Sequence, residues 1–254
     1  MTGADRLRAE LGAAMVGAGS ALEAANSLCH ACVDLLEVDG ASISLMHEGN
    51  SRGTFGSSNE LSRRLDSLQY TFGEGPCLDA VREGRPVLAT DLSDPQDQRW
   101  PAFRDAMLES GVRAVFALPV AVASSYVGAL DLFRSQKGEM TTEALTGGLM
   151  AAELAALPLL DLMTADVDWE GAGQGDDGWE QLASLERVEV YQATGMIMGA
   201  MEMGPSEALV RLRAHAYARG MTASELAWAV VERRLQLDVD DWSGDAGDVT
   251  GPAR

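Results

Sequence analysis

Residues 204–235 read "GPSEALVRLRAHAYARGMTASELAWAVVERRL", and this stretch carries clear start and stop signals for helices. Pro205 follows Gly204 at a favourable first helical position, because proline has its φ already fixed near the helical value. Glu207 falls in the first turn, where the helix dipole favours an acidic side chain. Gly220 is the usual type of residue after a helix C-terminus. The stretch therefore predicts a helix over about 205–219.

A further helix is predicted after this turn, over about 223–236. Thr222 and Glu225 have the spacing of a capping box, in which each side chain accepts a hydrogen bond from the backbone N–H of the other residue. Met221 and Leu226 are spaced as a hydrophobic staple across the same helix start. The capping, turn and apolar signals agree, so the helix start is well defined.

Residues 190–201, "VYQATGMIMGAM", belong to a preceding helix that is predicted over about 181–201. Val190, Ala193, Ile197 and Met201 recur at helical spacing, so one face of this helix is expected to be buried. Together the three helices predict an all-α domain over 181–236.

Charge is distributed unevenly along the 254 residues, whose net charge is −20. Residues 1–184 carry 12 Lys and Arg against 28 Asp and Glu, and residues 236–254 carry one Arg against five Asp. Residues 185–235 carry six Arg against six acidic residues and are neutral. An anionic partner therefore meets no net repulsion at the helical domain and is repelled by the rest of the chain.

Composition gives expectations about compartment. Hydrophobic residues make up 46% of the chain and charged residues 23%, which is the ordinary globular balance. No run of eighteen apolar residues is present and residues 1–10 lack the apolar core of a signal peptide, so neither a membrane span nor secretion is expected. Three cysteines, Cys29, Cys32 and Cys77, are too few for a disulfide framework. A cytoplasmic protein is expected.

The N-terminal part has the order of an α+β domain, with a mixed or antiparallel sheet and flanking long helices. Strands are predicted at 41–46, 54–58, 86–90, 114–122 and 125–133. Helices are predicted at 5–38, where Gly17 and Gly19 offer a break, and at 60–68, 77–83, 102–109 and 141–163. The predicted domain covers 1–163, an acidic Gly-rich linker covers 164–180, and an acidic disordered tail covers 237–254.

Several motifs of the helical domain resemble the ANTAR domain, an RNA-binding antiterminator module of bacterial regulators. They are the Gln-Ala-x-Gly step at Gln192, Ala193 and Gly195, the Leu-Arg-x-x-Ala core at 212–216, and the apolar closing helix at 226–231. Thr194 stands where many ANTAR domains have lysine. The resemblance covers about 50 residues and implies binding to RNA stem-loops in nascent transcripts.

The upstream stretches "FGEGPCLDAVREGRPVLATDL", "RWPAFRDAMLESGVRAVFALPV" and "VGALDLF" resemble a GAF domain, a small-molecule sensor fold. The two domains in this order resemble the GAF–ANTAR regulators of actinobacteria. The resemblance implies a non-enzymatic antitermination regulator without a cofactor, in which the GAF domain senses a small molecule or dimerises. A homodimer would present two ANTAR domains to neighbouring hairpins, and the helices at 5–38 and 141–163 are the expected dimer contacts.

The predicted RNA-binding residues lie on two helices. They are Gln192, Ala193, Thr194 and Gly195 on the first helix, and Arg211, Arg213, Tyr217 and Arg219 on the second. Arg213 and Tyr217 are spaced i,i+4 beside the predicted apolar stripe of this helix, which is formed by Ala208, Leu212 and Ala216. An unpaired base can stack there on the ring while the guanidinium binds its edge or phosphate. Gly195 costs roughly 0.5–1 kcal/mol relative to alanine inside a helix. Either close helix packing or a combined packing and RNA role would offset that cost.

The predicted ligand-pocket residues of the GAF-like domain are Phe72, Cys77, Asp91, Trp100 and Phe103. The histidines, His30, His47 and His215, belong to no Cys/His/Asp cluster in the sequence, so no metal site is predicted. No nucleophile motif is present, and no catalytic residue is predicted.

Two alternatives remain open. The helical domain of a small-molecule sensor can instead bind a protein partner, and salt dependence distinguishes this from RNA binding. DNA binding by a helix-turn-helix is disfavoured, because no helix carries a dense polar face for the major groove.

Overall fold

The structure is a computed structural model that describes residues 2–47, 50–164 and 187–235. The chain divides into two compact units between Glu186 and Arg187. Most of the predicted linker at 164–180, residues 181–186 of the first predicted ANTAR helix, and the predicted tail at 237–254 lie outside the described residues.

The first unit is built on a five-stranded sheet of order β2-β1-β5-β4-β3, in which neighbouring strands are antiparallel. The strands are β1 (Gly40–His47), β2 (Asn50–Ser57), β3 (Val87–Ala89), β4 (Ala114–Val122) and β5 (Ser125–Arg134). All five predicted strands are present. The sequence predicts either a mixed or an antiparallel sheet, and the sheet is fully antiparallel.

Helices cover both faces of this sheet. They are α1 (Gly3–Ala14), α2 (Ala21–Leu35), α3 (Glu60–Phe72), α4 (Pro76–Glu83), α5 (Pro101–Glu109), α6 (Thr142–Leu154) and α7 (Ala156–Thr164). The break expected near Gly17 separates α1 from α2, and Gly17 has a φ of +87°. Helix α3 is four residues longer than predicted, because it continues to Gly73, whose left-handed backbone (φ 67°) ends it.

Alternation along the strands sends one set of side chains to each sheet face. Residues such as Ile43, Phe116 and Leu130 pack with α1, α2, α6 and α7 in a first core. Residues such as Val115, Ala129 and Phe133 pack with α3, α4 and α5 in a second core. We call this second side the α3–α5 face.

The helix predicted over 141–163 is interrupted at Ala155, which separates α6 from α7. By length and composition, residues Thr142–Asp161 could span a membrane, and half of their most apolar window is buried. The buried side packs closely, since a Cβ on Gly147 would lie 2.4 Å from the Leu36 side chain and one on Gly148 would lie 2.7 Å from Leu118. These contacts make α6 a core helix of the domain.

Residues 187–235, the described part of the second unit, form three helices, α8 (Val188–Met201), α9 (Pro205–Ala218) and α10 (Ala223–Val231), and each contacts the other two. Pro205 occupies the first turn of α9 as predicted. Thr222 and Glu225 form the predicted capping box, with N···O distances of 2.6 and 3.2 Å. The first helix was predicted to include residue 187, but α8 begins at Val188 because Arg187 has a left-handed backbone (φ 49°).

Candidate functional site

The buried stripe of α9 is the one that the sequence predicts. Ala208, Leu212 and Ala216 are completely buried and hold α9 against the other two helices. At 100° per residue these three positions fall within 80° of helix circumference. The remaining circumference carries the polar and aromatic side chains of α9.

Arg213 and Tyr217 lie on the same side of α9, one turn apart. The Tyr217 side chain is 57% exposed, and Val210 on the same side is 63% exposed. Arg213 is half-buried, with its Nε atom inside the domain. This side therefore presents an aromatic ring beside a guanidinium that packing restrains.

Arg211 and Arg219 are separated from that pair. Arg211 lies about 200° from Arg213 around the helix, and its Nη2 atom is 3.0 Å from the carboxylate of Glu207. The Nη1 atom of Arg219 lies 2.9 Å from Nδ1 of His215 at the end of α9. Two of the four predicted residues, Arg213 and Tyr217, thus lie with Val210 on one side of the helix, which we call the aromatic side of α9. The other two, Arg211 and Arg219, lie outside it.

The four predicted residues of α8 are also divided. Ala193 is completely buried and Thr194 is 8% exposed, with its hydroxyl donating to the carbonyl of Val190 at 2.7 Å. Both side chains therefore belong to the core of the helical unit, which the helical spacing predicts for Ala193 but not for Thr194. Gln192 and Gly195 are exposed.

Gly195 lies on an open surface. No described atom outside its own helix turn and chain neighbours lies within 4 Å of a Cβ added at Gly195 or at Gly199. The hypothesis that a neighbouring helix packs closely on Gly195 is therefore wrong for the described part of the chain. Within the described residues, no packing contact offsets the conformational cost of this glycine.

Tyr191 was not among the predicted RNA-binding residues. It lies one turn before Gly195, and its side chain is 55% exposed. We call the surface formed by Tyr191, Gln192, Gly195 and Gly199 the α8 glycine face. Its i,i+4 aromatic–glycine spacing is the sequence signal that could have identified it.

Three of the predicted ligand-pocket residues come together in the second core of the GAF-like unit. Cys77 and Phe103 are completely buried and Trp100 is 7% exposed. The rings of Trp100 and Phe103 meet edge to face with centroids 6.4 Å apart, and Trp100 Nε1 donates to Asp79 at 2.8 Å. Phe72 is partly buried against the same core. These contacts give Trp100 and Phe103 a packing role.

Asp91 lies apart from that core, in the loop after β3. It accepts hydrogen bonds from the Ser93 hydroxyl and from Lys137 Nζ, the latter at 2.9 Å. These bonds, with Ser93 the stronger influence, lower the pKa of Asp91 to about 2. A small cavity of about 70 Å³ lies elsewhere, against residues such as Gly40, Ser62 and Val112.

The loop "FGEGP" at 72–76 organises the α3–α5 face. Glu74 Oε1 accepts the backbone N–H groups of Ala102 and Phe103 at 2.7 and 3.0 Å, which caps α5. Gly75 has a φ of 145°, and an added Cβ would lie 2.3 Å from Gln69 Oε1. The loop glycines therefore allow close approach to Gln69, as expected for a turn.

The cysteines are buried thiols. Cys29 and Cys32 lie on α2 in the first core, where burial raises the pKa of both and that of Cys32 to about 12. Burial, together with Asp131 and Asp66, also raises the pKa of Cys77 well above its ordinary value. Cys77 therefore lacks the depressed pKa of a reactive thiolate at a helix start.

Comparison with family models identifies both units. A model described as "GAF domain" matches residues 20–157, and one described as "ANTAR domain" matches residues 181–231. The GAF match covers more than half of the chain. No curated protein matches the chain.

The first unit is similar to several solved structures. The GAF domain from Acinetobacter phosphoenolpyruvate-protein phosphotransferase is 13% identical and superposes with a TM-score of 0.50, covering 64% of this chain and 96% of that one. The GAF domain from the Coxiella burnetii phosphotransferase is 15% identical with a TM-score of 0.49, over 64% and 97%. Free methionine-R-sulfoxide reductase from Neisseria meningitidis, solved with its substrate, is 13% identical with a TM-score of 0.47, over 62% and 88%.

Proposed function

Since this chain belongs to the GAF domain family and carries an ANTAR domain after its GAF domain, we propose that it is an RNA-binding antiterminator. It binds paired stem-loops in nascent transcripts and thereby prevents termination of transcription. The ANTAR domain indicates RNA-binding regulation by antitermination, and the GAF domain indicates a sensor. This architecture points to a regulator rather than an enzyme. The stem-loop target, the dimer, the small-molecule ligand and the cytoplasmic location are parts of the proposal.

The observation that carries the proposal is the aromatic side of α9. A loop base stacks on the exposed ring of Tyr217, and Arg213 donates to the base edge or to a phosphate. Its partial burial fixes the Arg213 side chain before RNA arrives, so less side-chain entropy is lost on binding. Stacking tolerates the near-neutral charge of the ANTAR domain better than binding that depends on phosphates alone.

The α8 glycine face supplies a second contact in this proposal. Glycines without a Cβ allow an RNA backbone to approach the helix closely, and Tyr191 offers another ring beside them. Gln192 can donate and accept hydrogen bonds there. RNA binding at this face gives Gly195 a function that packing within the domain does not provide.

A homodimer would let one protein hold two hairpins, since linking two weak sites raises the effective affinity. Exposed leucines support this part of the proposal: Leu149 on α6 and Leu157 and Leu160 on α7 are 40 to 51% exposed. Burial of these leucines in a dimer would remove apolar surface from water. Leu157→Glu is expected to convert the dimer into a monomer in sedimentation experiments.

The decisive experiment is capture of RNA from cells with the full chain, followed by sequencing and by binding measurements on the enriched stem-loops. Arg213→Ala is expected to lose enrichment, whereas Arg211→Ala is the matched control on the other side of α9. Binding should also weaken as salt is added, because the phosphate contacts release counterions. The proposal fails if no stem-loop class is enriched, and a protein captured in place of RNA would support a protein-binding module.

A further inference from the structure

The α3–α5 face of the GAF domain contains a buried polar cluster that the proposed function does not use. Asp66 and Gln69 project from α3, Cys77 from α4 and Asp131 from β5, and each is at most 1% exposed. Asp66, Cys77 and Asp131 are 11 to 65 positions apart in the sequence. The sequence therefore showed no cluster, and folding of the sheet against α3 and α4 creates it.

Hydrogen bonds fix the orientation of both carboxylates. Asp66 accepts from the hydroxyl groups of Ser44 and Thr54 on β1 and β2. Asp131 accepts from Gln69 Nε2, while Gln69 Oε1 accepts from the Cys77 backbone N–H at 2.9 Å. The carboxylates are thus held by neutral donors from the neighbouring elements.

Two fully buried polar atoms in this region have no hydrogen-bond partner among the described residues. They are Oδ1 of Asp131 and Oγ of Ser42. Ser42 and Asp131 are directly paired across β1 and β5, so their side chains leave the sheet on the same face. A buried acceptor without a partner costs about 1–3 kcal/mol. Both atoms therefore indicate an additional binding partner.

The two buried carboxyl groups of the cluster need a neutralising partner. Asp66 and Asp131 are both buried, and the acids Asp131, Asp66 and Asp79 act electrostatically on Cys77. Within the described residues, no Lys, Arg or His forms an ion pair with Asp66 or Asp131. Two buried carboxylates are costly unless a cation or protons neutralise them.

We propose that Asp66, Cys77 and Asp131 bind a divalent transition-metal ion of the zinc type. One potential ligand atom from each residue lies within 4.8 Å of the other two. The thiolate ligand favours zinc-like ions over Mg²⁺ and Ca²⁺, which prefer oxygen ligands only. Ser44, Thr54 and Gln69 orient the ligands, and the Ser42 hydroxyl is placed to hydrogen-bond a further ligand such as water.

An ion fits this site better than an organic cation. Asp66, Cys77 and Asp131 are enclosed by the sheet and by α3 and α4, with at most 1% of each residue exposed. An organic ammonium compound would need a cavity large enough for its carbon skeleton. A metal ion needs only the space between the ligand atoms.

Binding would displace protons from the cluster. In the absence of an ion, burial raises the pKa of Asp131 and of Cys77, with Asp66 adding to both effects. A bound metal ion reverses this preference because it stabilises the deprotonated ligands. The metal would also tie β5 to α3 and α4.

Cobalt titration of the metal-free full chain tests the proposal, because a Co²⁺–thiolate bond gives a charge-transfer absorption band. We expect one Co²⁺ per chain, that band, and displacement of Co²⁺ by Zn²⁺. Cys77→Ala is expected to abolish the band, and Asp131→Asn to lower metal affinity by at least about tenfold. Circular dichroism verifies folding of each variant.

Cys32→Ala is the matched control, because Cys32 is equally buried on the other side of the sheet. It should retain both the band and the one-to-one stoichiometry. Failure of the wild-type chain to bind Co²⁺ and Zn²⁺ would overturn the proposal and would assign the carboxylate pair to a shared proton. A wild-type band in Cys77→Ala, or its loss in Cys32→Ala alone, would also overturn the assigned site.

Discussion

Glu74 caps α5 from a separate loop: its carboxylate accepts the backbone N–H of Ala102 at 2.7 Å. The loop before α4 is thereby joined to α5, and the α3–α5 face gains a fixed geometry. A charged cap at a helix N-terminus satisfies otherwise unpaired N–H groups and complements the helix dipole.

Replacing this cap should destabilise the GAF domain. Glu74→Gln removes the charge and is expected to lower the free energy of unfolding by about 1 kcal/mol. Glu109→Gln is the control at the opposite end of α5, where loss of a negative charge should be neutral or stabilising by a few tenths of a kcal/mol. Urea unfolding of both variants measures the difference, and equal effects would contradict the capping role.

Alanine substitutions at two helical glycines should change the stability in opposite directions. A Cβ on Gly147 would meet side-chain atoms of Leu36 and Leu7 at 2.4 and 2.7 Å, so Gly147→Ala should destabilise by about 1–3 kcal/mol. Gly12 in α1 has open space, and Gly12→Ala should stabilise by about 0.5–1 kcal/mol. Thermal unfolding of the two variants distinguishes these signs. A stabilised Gly147→Ala variant would show that α6 can move away.

Asp91 should titrate at unusually low pH. Its folded pKa of about 2 lies below the ordinary 3.8, so its contribution to stability is present above the ordinary value and is lost as the pH falls through about 2. NMR titration of the Asp91 carboxyl measures this pKa directly. Ser93→Ala should raise it more than Lys137→Met, since the Ser93 hydroxyl is the larger influence. An ordinary pKa in the unmodified chain would contradict the hydrogen bonds described.

Gly195 should separate folding from RNA binding. Gly195→Ala is expected to stabilise the ANTAR domain by about 0.5–1 kcal/mol, because the added methyl group meets open space in a helix. The same methyl group should reduce stem-loop affinity by roughly tenfold, or ~1.4 kcal/mol, if RNA approaches this backbone. Gly12→Ala in α1, where an added Cβ also meets open space, should stabilise the GAF domain without any loss of stem-loop affinity. Unchanged affinity in Gly195→Ala would exclude close RNA approach at that glycine.

Tyr217 tests base stacking. Tyr217→Ala should weaken stem-loop binding by about 1–3 kcal/mol, whereas Tyr217→Phe keeps the ring and should retain most of the affinity. Trp228 on α10 is a similarly exposed aromatic residue outside both proposed contacts, and Trp228→Ala serves as the control. Fluorescence anisotropy with a labelled stem-loop measures all three variants. Equal losses for Tyr217→Ala and Trp228→Ala would assign the effect to general destabilisation.

The sequence by itself determined the two domains and most of their elements. Local signals acted at short range: Pro205 at the start of α9, the Thr222–Glu225 capping box, and the largely apolar runs of β4 and β5. Such signals depend on neighbouring residues alone, and the structure has these elements at nearly the predicted positions. The apolar stripe of Ala208, Leu212 and Ala216 was predictable for the same reason.

Tertiary structure decided which side chains are accessible. Helical periodicity could not show that Thr194 is buried while Gly195 is open, because the packing of α9 and α10 around α8 sets the width of the buried side. Helical periodicity also could not show that Arg211 pairs with Glu207 while Arg213 is half-buried on the same side as Tyr217. Asp66, Cys77 and Asp131 meet only because α3, α4 and β5 pack on one sheet face. Long-range packing, which local sequence does not encode, brings those three side chains together.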